Sequence, residues 1–171
     1  YSAYSNAVAI TINTIPTISS TNTPVSRCGS GTVTLQANSN VGIINWYANA
    51  TGGSILATVT SFTTPNLTAN STYYAEAFYN GCSNGIRIPV NVFVYTPPVV
   101  TDQEVTKCKS STSILDAGVP GMLYLWSTGE TTTSIKAYNS GSYSAIITNT
   151  DGCSALSDTI VKEIESAKVK A

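Results

Sequence analysis

The sequence predicts an all-β chain folded as two tandem sandwiches joined by a proline-containing linker, and three observations carry that expectation. The first is an internal repeat. PVSRCGSGTVTLQANSNVGIINWYA is answered by EVTKCKSSTSILDAGVPGMLYLWST, so that Cys28 precedes Trp46 by 18 residues and Cys108 precedes Trp126 by the same 18. The period near 80 residues marks one supersecondary unit used twice. The second is alternation of apolar and polar residues, broken every eight to twelve residues by turn signals such as Asn80-Gly81, Asn139-Ser140-Gly141 and Asp151-Gly152. The third is composition. The 171 residues are 42% apolar but only 10% charged. Thr, Ser and Asn abound where a helical protein would carry Leu, Glu and Lys.

The elements follow in chain order. YSAYSNAVAITIN reads as the closing strand of a preceding, truncated repeat over residues 1–14, because AYSNA echoes the later NGCSN and DGCSA. Pro16 then stops that strand, since proline has no amide hydrogen to donate. Domain 1 spans 15–96. Its strand INWYA places Ile44 and Trp46 on one face, and TYYAEAFY does the same for Tyr73, Ala75 and Ala77. Pro97 and Pro98 end the last strand and form a short stiff linker over 97–99. Domain 2 spans 100–163, with Tyr124 and Trp126 on one face and Tyr143, Ala145 and Ile147 on another. It is shorter: Trp46 to Cys82 is 36 residues, Trp126 to Cys153 only 27, a difference of about one strand or a long loop. The charged stretch over 164–171 reads as a tail or linker.

Short strands in a Cys…Trp…Cys order are the mark of an immunoglobulin-like sandwich. Trp46, Trp126, Tyr73 and Tyr143 are then core residues. Four cysteines with no CxxC pair and no histidine fit disulfides rather than zinc, and point to an oxidising, extracytoplasmic compartment. The matching positions favour pairing within each copy, Cys28 with Cys82 and Cys108 with Cys153. In simple immunoglobulin connectivity, however, these positions lie at opposite ends of the sandwich, which leaves a bridge between copies, such as Cys28 to Cys153, as the alternative.

Function classes narrow by elimination. A net charge of −1 leaves no basic patch for nucleic acid. No run of about 18 apolar residues exists to insert into a membrane. Without histidine the usual general base near neutral pH is missing, and the carboxylates are scattered, so no enzyme and no cofactor are expected. Asp116, Asp151 and Asp158 are weak candidates for a calcium site, since no D-x-D-x-D cluster joins them. Outward-facing Tyr74 and Phe78 flank Glu76 and form a candidate flat face for a glycan or a protein.

The strings NWYANATGG, TYYAEA and YLWSTGETT resemble the repeated immunoglobulin-like domains of large cell-surface proteins of Bacteroidetes-type bacteria, many of them gliding-motility adhesins exported by the type IX route. The resemblance covers about residues 16–161. It implies a secreted, surface-exposed stalk or adhesive repeat, whose partners are neighbouring repeats and surface glycans or proteins. It also makes Thr159, in Asp158-Thr159-Ile160, an O-glycosylation candidate. The expected function is a non-catalytic spacer that presents a binding tip; the alternative is a binding module that uses the Tyr74–Phe78 face.

Overall fold

A computed structural model of the chain describes residues 12–118 and 120–164, and every described element is a strand. Most of the strand expected over residues 1–14 lies outside the described residues. Two compact units divide the chain, Tyr1–Val94 and Tyr95–Ala171.

The first unit pairs a three-stranded sheet with a larger one. The small sheet has the order β1-β3-β6, with β1 at Ile18–Thr21, β3 at Thr34–Ser39 and β6 at Ser61–Thr63. The larger has the order β2-β9-β7-β4-β5: Val25–Cys28, Ile88–Tyr95, Ser71–Tyr79, Ile43–Tyr47 and the two-residue Ala57–Thr58. A short β8, Cys82–Ser83, folds back on the end of β7. Asn80 and Gly81 form that turn with φ of 47° and 81°, the left-handed pair that a tight hairpin requires and that Asn-Gly supplies at low cost.

The second unit has the same plan with fewer parts. β11 (Ser113–Asp116) pairs with β13 (Ser134–Ala137), while β10 (Gln103–Cys108), β15 (Ser154–Ile164), β14 (Gly141–Thr148) and β12 (Leu123–Trp126) form a four-stranded sheet in that order. The shorter span after Trp126 holds one strand, β13, where the first unit has β5 and β6.

One packing device recurs in both cores. Trp46 lies opposite Ala75 and Trp126 opposite Ala145. A methyl group across the pleat leaves room for the indole to lie flat in the core, so both rings are buried. Each indole N–H donates at 2.8 Å to a carbonyl of the connection that follows, Val59 in one unit and Thr132 in the other. The buried polar end of each tryptophan is thus satisfied. In the first unit Phe62 stacks on Trp46 at 5.6 Å and meets Tyr73 edge-on at 5.4 Å. Ile135 fills the matching place in the second.

A basic residue before each strand-end cysteine ties the next turn. Arg27 donates through Nε, Nη1 and Nη2 to the carbonyls of Gly29, Thr32 and Ser30. Lys107, buried, donates to the Ser111 carbonyl at 3.2 Å. The guanidinium of Arg27 spreads its donors over three carbonyls in a fixed fork, which a lysine ammonium cannot reproduce.

Candidate functional site

Alternation along β7 turns Tyr73, Ala75 and Ala77 inward and leaves Tyr74, Glu76 and Phe78 on the outer face of the sheet. Tyr73 is buried, and burial pushes its phenol above the ordinary value. The outer three do not form an open platform. Glu76 accepts from Arg87 Nε at 3.3 Å and from the Ser83 hydroxyl. Arg87 also holds the carbonyls of Asn49 at 2.8 Å and Gly52 at 2.6 Å through Nη1, while its guanidinium lies 3.3 Å over the Tyr47 ring. Both charged side chains are only 13% exposed. This polar clasp staples the β8–β9 connection to the loop after β4. It uses the Glu76 acceptors that a sugar would need and covers Tyr47. Phe78, 36% exposed, remains available beside exposed Ile43, its cross-strand neighbour.

The same place in the second unit has the opposite chemistry. Glu76 sits one residue past the Trp–Ala pair and opposite Asn45, with Arg87 beyond it. The equivalent row in the second unit is Leu125, Ile146 and Leu156, paired directly across β12, β14 and β15. These three are 50%, 42% and 57% exposed. Leu123, a further outward residue of β12, adds to this apolar strip. Arg87 was missed in the sequence because the register shifts by two residues between Phe78↔Ser83 and Ala75↔Ile88. The only available signal was a lone charge in NGIRIP, beside an outward glutamate on the preceding strand.

The cysteines correct the expected pairing. Cys28 and Cys153 are disulfide-bonded, whereas Cys82 and Cys108 are exposed free thiols. Neither bridge within a copy forms, and strand geometry gives the reason. Gly31, just past Cys28, bridges to Leu67 ahead of β7, while Cys82 pairs with Tyr79 at the far end of that strand. The nine residues of β7 put about 26 Å between those ends. In the second unit Cys108 lies opposite Ile164, at the end of β15, whereas Cys153 precedes its first residue, Ser154. That separation is about 36 Å, against the roughly 7 Å between Cα atoms that a disulfide tolerates.

The remaining candidates are placed as follows. Trp46 and Trp126 are core residues, and Tyr143 is half-buried against the second core. Asp116 accepts from the Gly118 amide, Asp151 sits in the turn capped by Asn149, and Asp158 donates its amide to Asp102. These are local turn and backbone roles, and no group of three potential ligands comes together among the described residues. Asp158 lines a hollow of about 420 Å³ with Asp102, Gln103 and Glu104. Thr159 corrects its expectation: it is 4% exposed, held between Gln103 of β10 and Tyr143 of β14, so a glycosyl group has no access to its hydroxyl. No described helix is long and apolar enough to cross a membrane.

Comparisons with known proteins place the first unit. The solved structures that match include the fibronectin(III)-like modules of Clostridium thermocellum CbhA, at 16% identity and a TM-score of 0.40, covering 92% of this chain and 97% of that one. The Ig1-2 module of the Drosophila receptor protein tyrosine phosphatase DLAR matches at 11% identity and a TM-score of 0.39, covering 87% and 100%. The insect immune protein hemolin matches at 12% and 0.45, covering 87% and 47%. No curated protein matches the chain. Residues 14–95 match the family model described as an Ig-like domain, CHU_C associated. That stretch, with its Trp46 core and its two facing sheets, is similar to the immunoglobulin-like domains of the CHU_C-associated family.

Proposed function

We propose that the chain is a non-catalytic structural and adhesive segment of a secreted cell-surface protein, a spacer of two tandem immunoglobulin-like sandwiches joined at Pro97 and Pro98 that presents a binding tip. The observation that carries this reading is the pairing of the first and last strands of the second unit. β10 and β15 run parallel over six matched residues, Gln103↔Thr159 to Cys108↔Ile164. Tension that enters at the start of β10 and leaves at the end of β15 pulls the two strands along one another. The ladder hydrogen bonds are then strained together instead of being opened singly, as at the end of an antiparallel hairpin. Such a module resists extension without contributing any chemistry. Its partners are neighbouring repeats of the same kind.

Pulling the reduced chain by its two ends tests this reading. Neighbouring residues in a strand present their amides to opposite sides, so of Val105→Pro and Thr106→Pro one removes a donor facing β15 and the other does not. The expected result is a marked fall in the unfolding force of the second unit for one variant only. Equal forces in both variants and the parent would overturn the spacer reading.

A second reading, a glycan- or protein-binding module, is favoured by the exposed Ile43–Phe78 pair on the same outer face as Tyr74. Binding of the chain to a glycan or surface-protein array, lost on combined Tyr74→Ser and Phe78→Ser substitution without unfolding, is the result it expects.

A further inference from the structure

The two units differ at the edge of the smaller sheet. In the first, β1 lies along β3 with Thr21 opposite Ala37, and Asn22 seals the end of that pairing. Its amide donates to the Gln36 carbonyl at 3.2 Å, its Oδ1 accepts from the Gln36 amide at 2.8 Å, and its Nδ2 donates to the Thr34 carbonyl at 3.1 Å. The repeat offset of 80 residues puts Pro98, Thr101, Asp102 and Asp116 in the places of Ile18, Thr21, Asn22 and Gln36. Proline brings no amide hydrogen to a ladder, and a carboxylate at 102 has no donor for the Ile114 carbonyl. Asp102 accepts instead from the Asp158 amide, on the larger sheet, at 2.9 Å. Among the described residues no strand pairs with β11 on the side away from β13.

A hollow of about 230 Å³ opens there, lined by residues 99–101 and 116–118, by Gln103 and by Ser157. Ser157 is only 6% exposed and turns inward opposite Ala145, where the first unit sets Ile88 opposite Ala75. Its hydroxyl has no hydrogen-bond partner among the described residues and is open to the hollow. A buried polar group without a partner calls for a ligand to satisfy it.

We propose that this hollow binds a primary ammonium group, carried by a lysine side chain or by a free alkylamine. An ammonium has three donors and no acceptor. The hollow answers with the Ser157 hydroxyl, the Gln103 amide oxygen and the Asp116 carboxylate, which gives one oxygen to the Gly118 amide at 2.9 Å and keeps the other. Val99, Val100 and Ala117 supply apolar surface for the methylenes of the stem. The charge agrees. No lysine or arginine lines the hollow among the described residues, and a neighbouring hollow that shares Gln103 is lined by Asp102, Glu104 and Asp158. That field draws in cations and turns away anions. Calcium is poorly served, because it takes about six to eight oxygens and no group of three acidic ligands comes together among the described residues.

Titration of the intact chain with n-butylammonium chloride, followed through its amide NMR signals, tests the proposal. An acetyl-Gly-Lys-Gly-amide peptide and its Nε-acetylated form are the further probes. Saturable shifts at Gln103, residues 116–118 and Ser157 are expected with the amine and the lysine peptide, and none with n-butanol or the acetylated peptide. Asp116→Asn should weaken binding about tenfold or more. Ser157→Ile, which restores the side chain of the first unit, should abolish it; if that variant does not fold, the exposed Asp116 decides. Tighter binding of the peptide than of the amine assigns the ammonium to a protein partner, and equal binding to a free amine. The proposal is overturned by absent shifts, by equal shifts with n-butanol or sodium chloride, by calcium chloride saturating the same amides at lower concentration, or by binding that Asp116→Asn leaves unchanged.

Discussion

On the outer sheet face of the first unit one cross-strand row reads Asn45, Glu76, Arg87; in the second unit the row at the same distance from the Trp–Ala pair reads Leu125, Ile146, Leu156. The inner faces of the two sheets are nearly interchangeable, whereas these outer faces are opposites. The inward positions are constrained by close packing, where a methyl must face an indole and each indole N–H must find a carbonyl. The outward positions are constrained only by what lies over them. In the first unit the interrupted β8–β9 connection returns Arg87 over Tyr47, and a charged pair is satisfied by Ser83 and by two loop carbonyls. In the second, β15 leaves the turn as one unbroken strand of eleven residues, no such loop folds over the row, and the apolar side chains remain in solvent.

If the cores are equivalent, Trp46→Ala and Trp126→Ala should each destabilise their own unit by about 3–5 kcal/mol, the usual result of emptying an aromatic site. Amide hydrogen exchange of each unit over a denaturant series checks this, and a loss seen in only one of the two variants would break the equivalence. The outer rows should behave differently from one another. Glu76→Ala strands a mostly buried guanidinium and should cost about 2 kcal/mol, while Ile146→Ala, at an exposed position, should stay within about 0.5 kcal/mol. Rewriting the apolar row as its counterpart, with Leu125→Asn, Ile146→Glu and Leu156→Arg together, should leave stability within about 1 kcal/mol. It should also reduce binding of a hydrophobic dye to the native chain. Unchanged dye binding would mean that the strip is not the exposed apolar surface. The smallest effect is alkaline. Because burial raises the Tyr73 phenol above its unfolded value near 10, its contribution is fully present below that pH and is lost as pH rises towards the folded value. Tyr73→Phe should flatten the fall in stability above about pH 10.

Much of the interior was legible in the sequence, because period-2 alternation is a direct readout of which side chains face a sheet's partner. Trp46, Tyr73, Ala75 and Ala145 lie where alternation puts them. The Asn80-Gly81 turn was legible because few dipeptides tolerate two left-handed residues. What could not be read was anything that depends on register between distant segments. The Glu76–Arg87 clasp requires a two-residue shift in the hairpin. The burial of Thr159 requires β10 to lie parallel along β15, and parallel neighbours leave no turn signal in the chain. The cysteine pairing failed in its favoured form because matching sequence positions say nothing about which end of a sandwich they occupy. The geometric objection already visible in the sequence proved to be the controlling fact.

The most direct test of the spacer reading is the extension of the reduced chain under tension applied to its two ends. All 171 residues then lie in the load path, about 600 Å at full stretch, and a distinct force barrier from the β10–β15 ladder is expected before the second unit lengthens. Reduced chains that lengthen without a barrier would contradict the spacer.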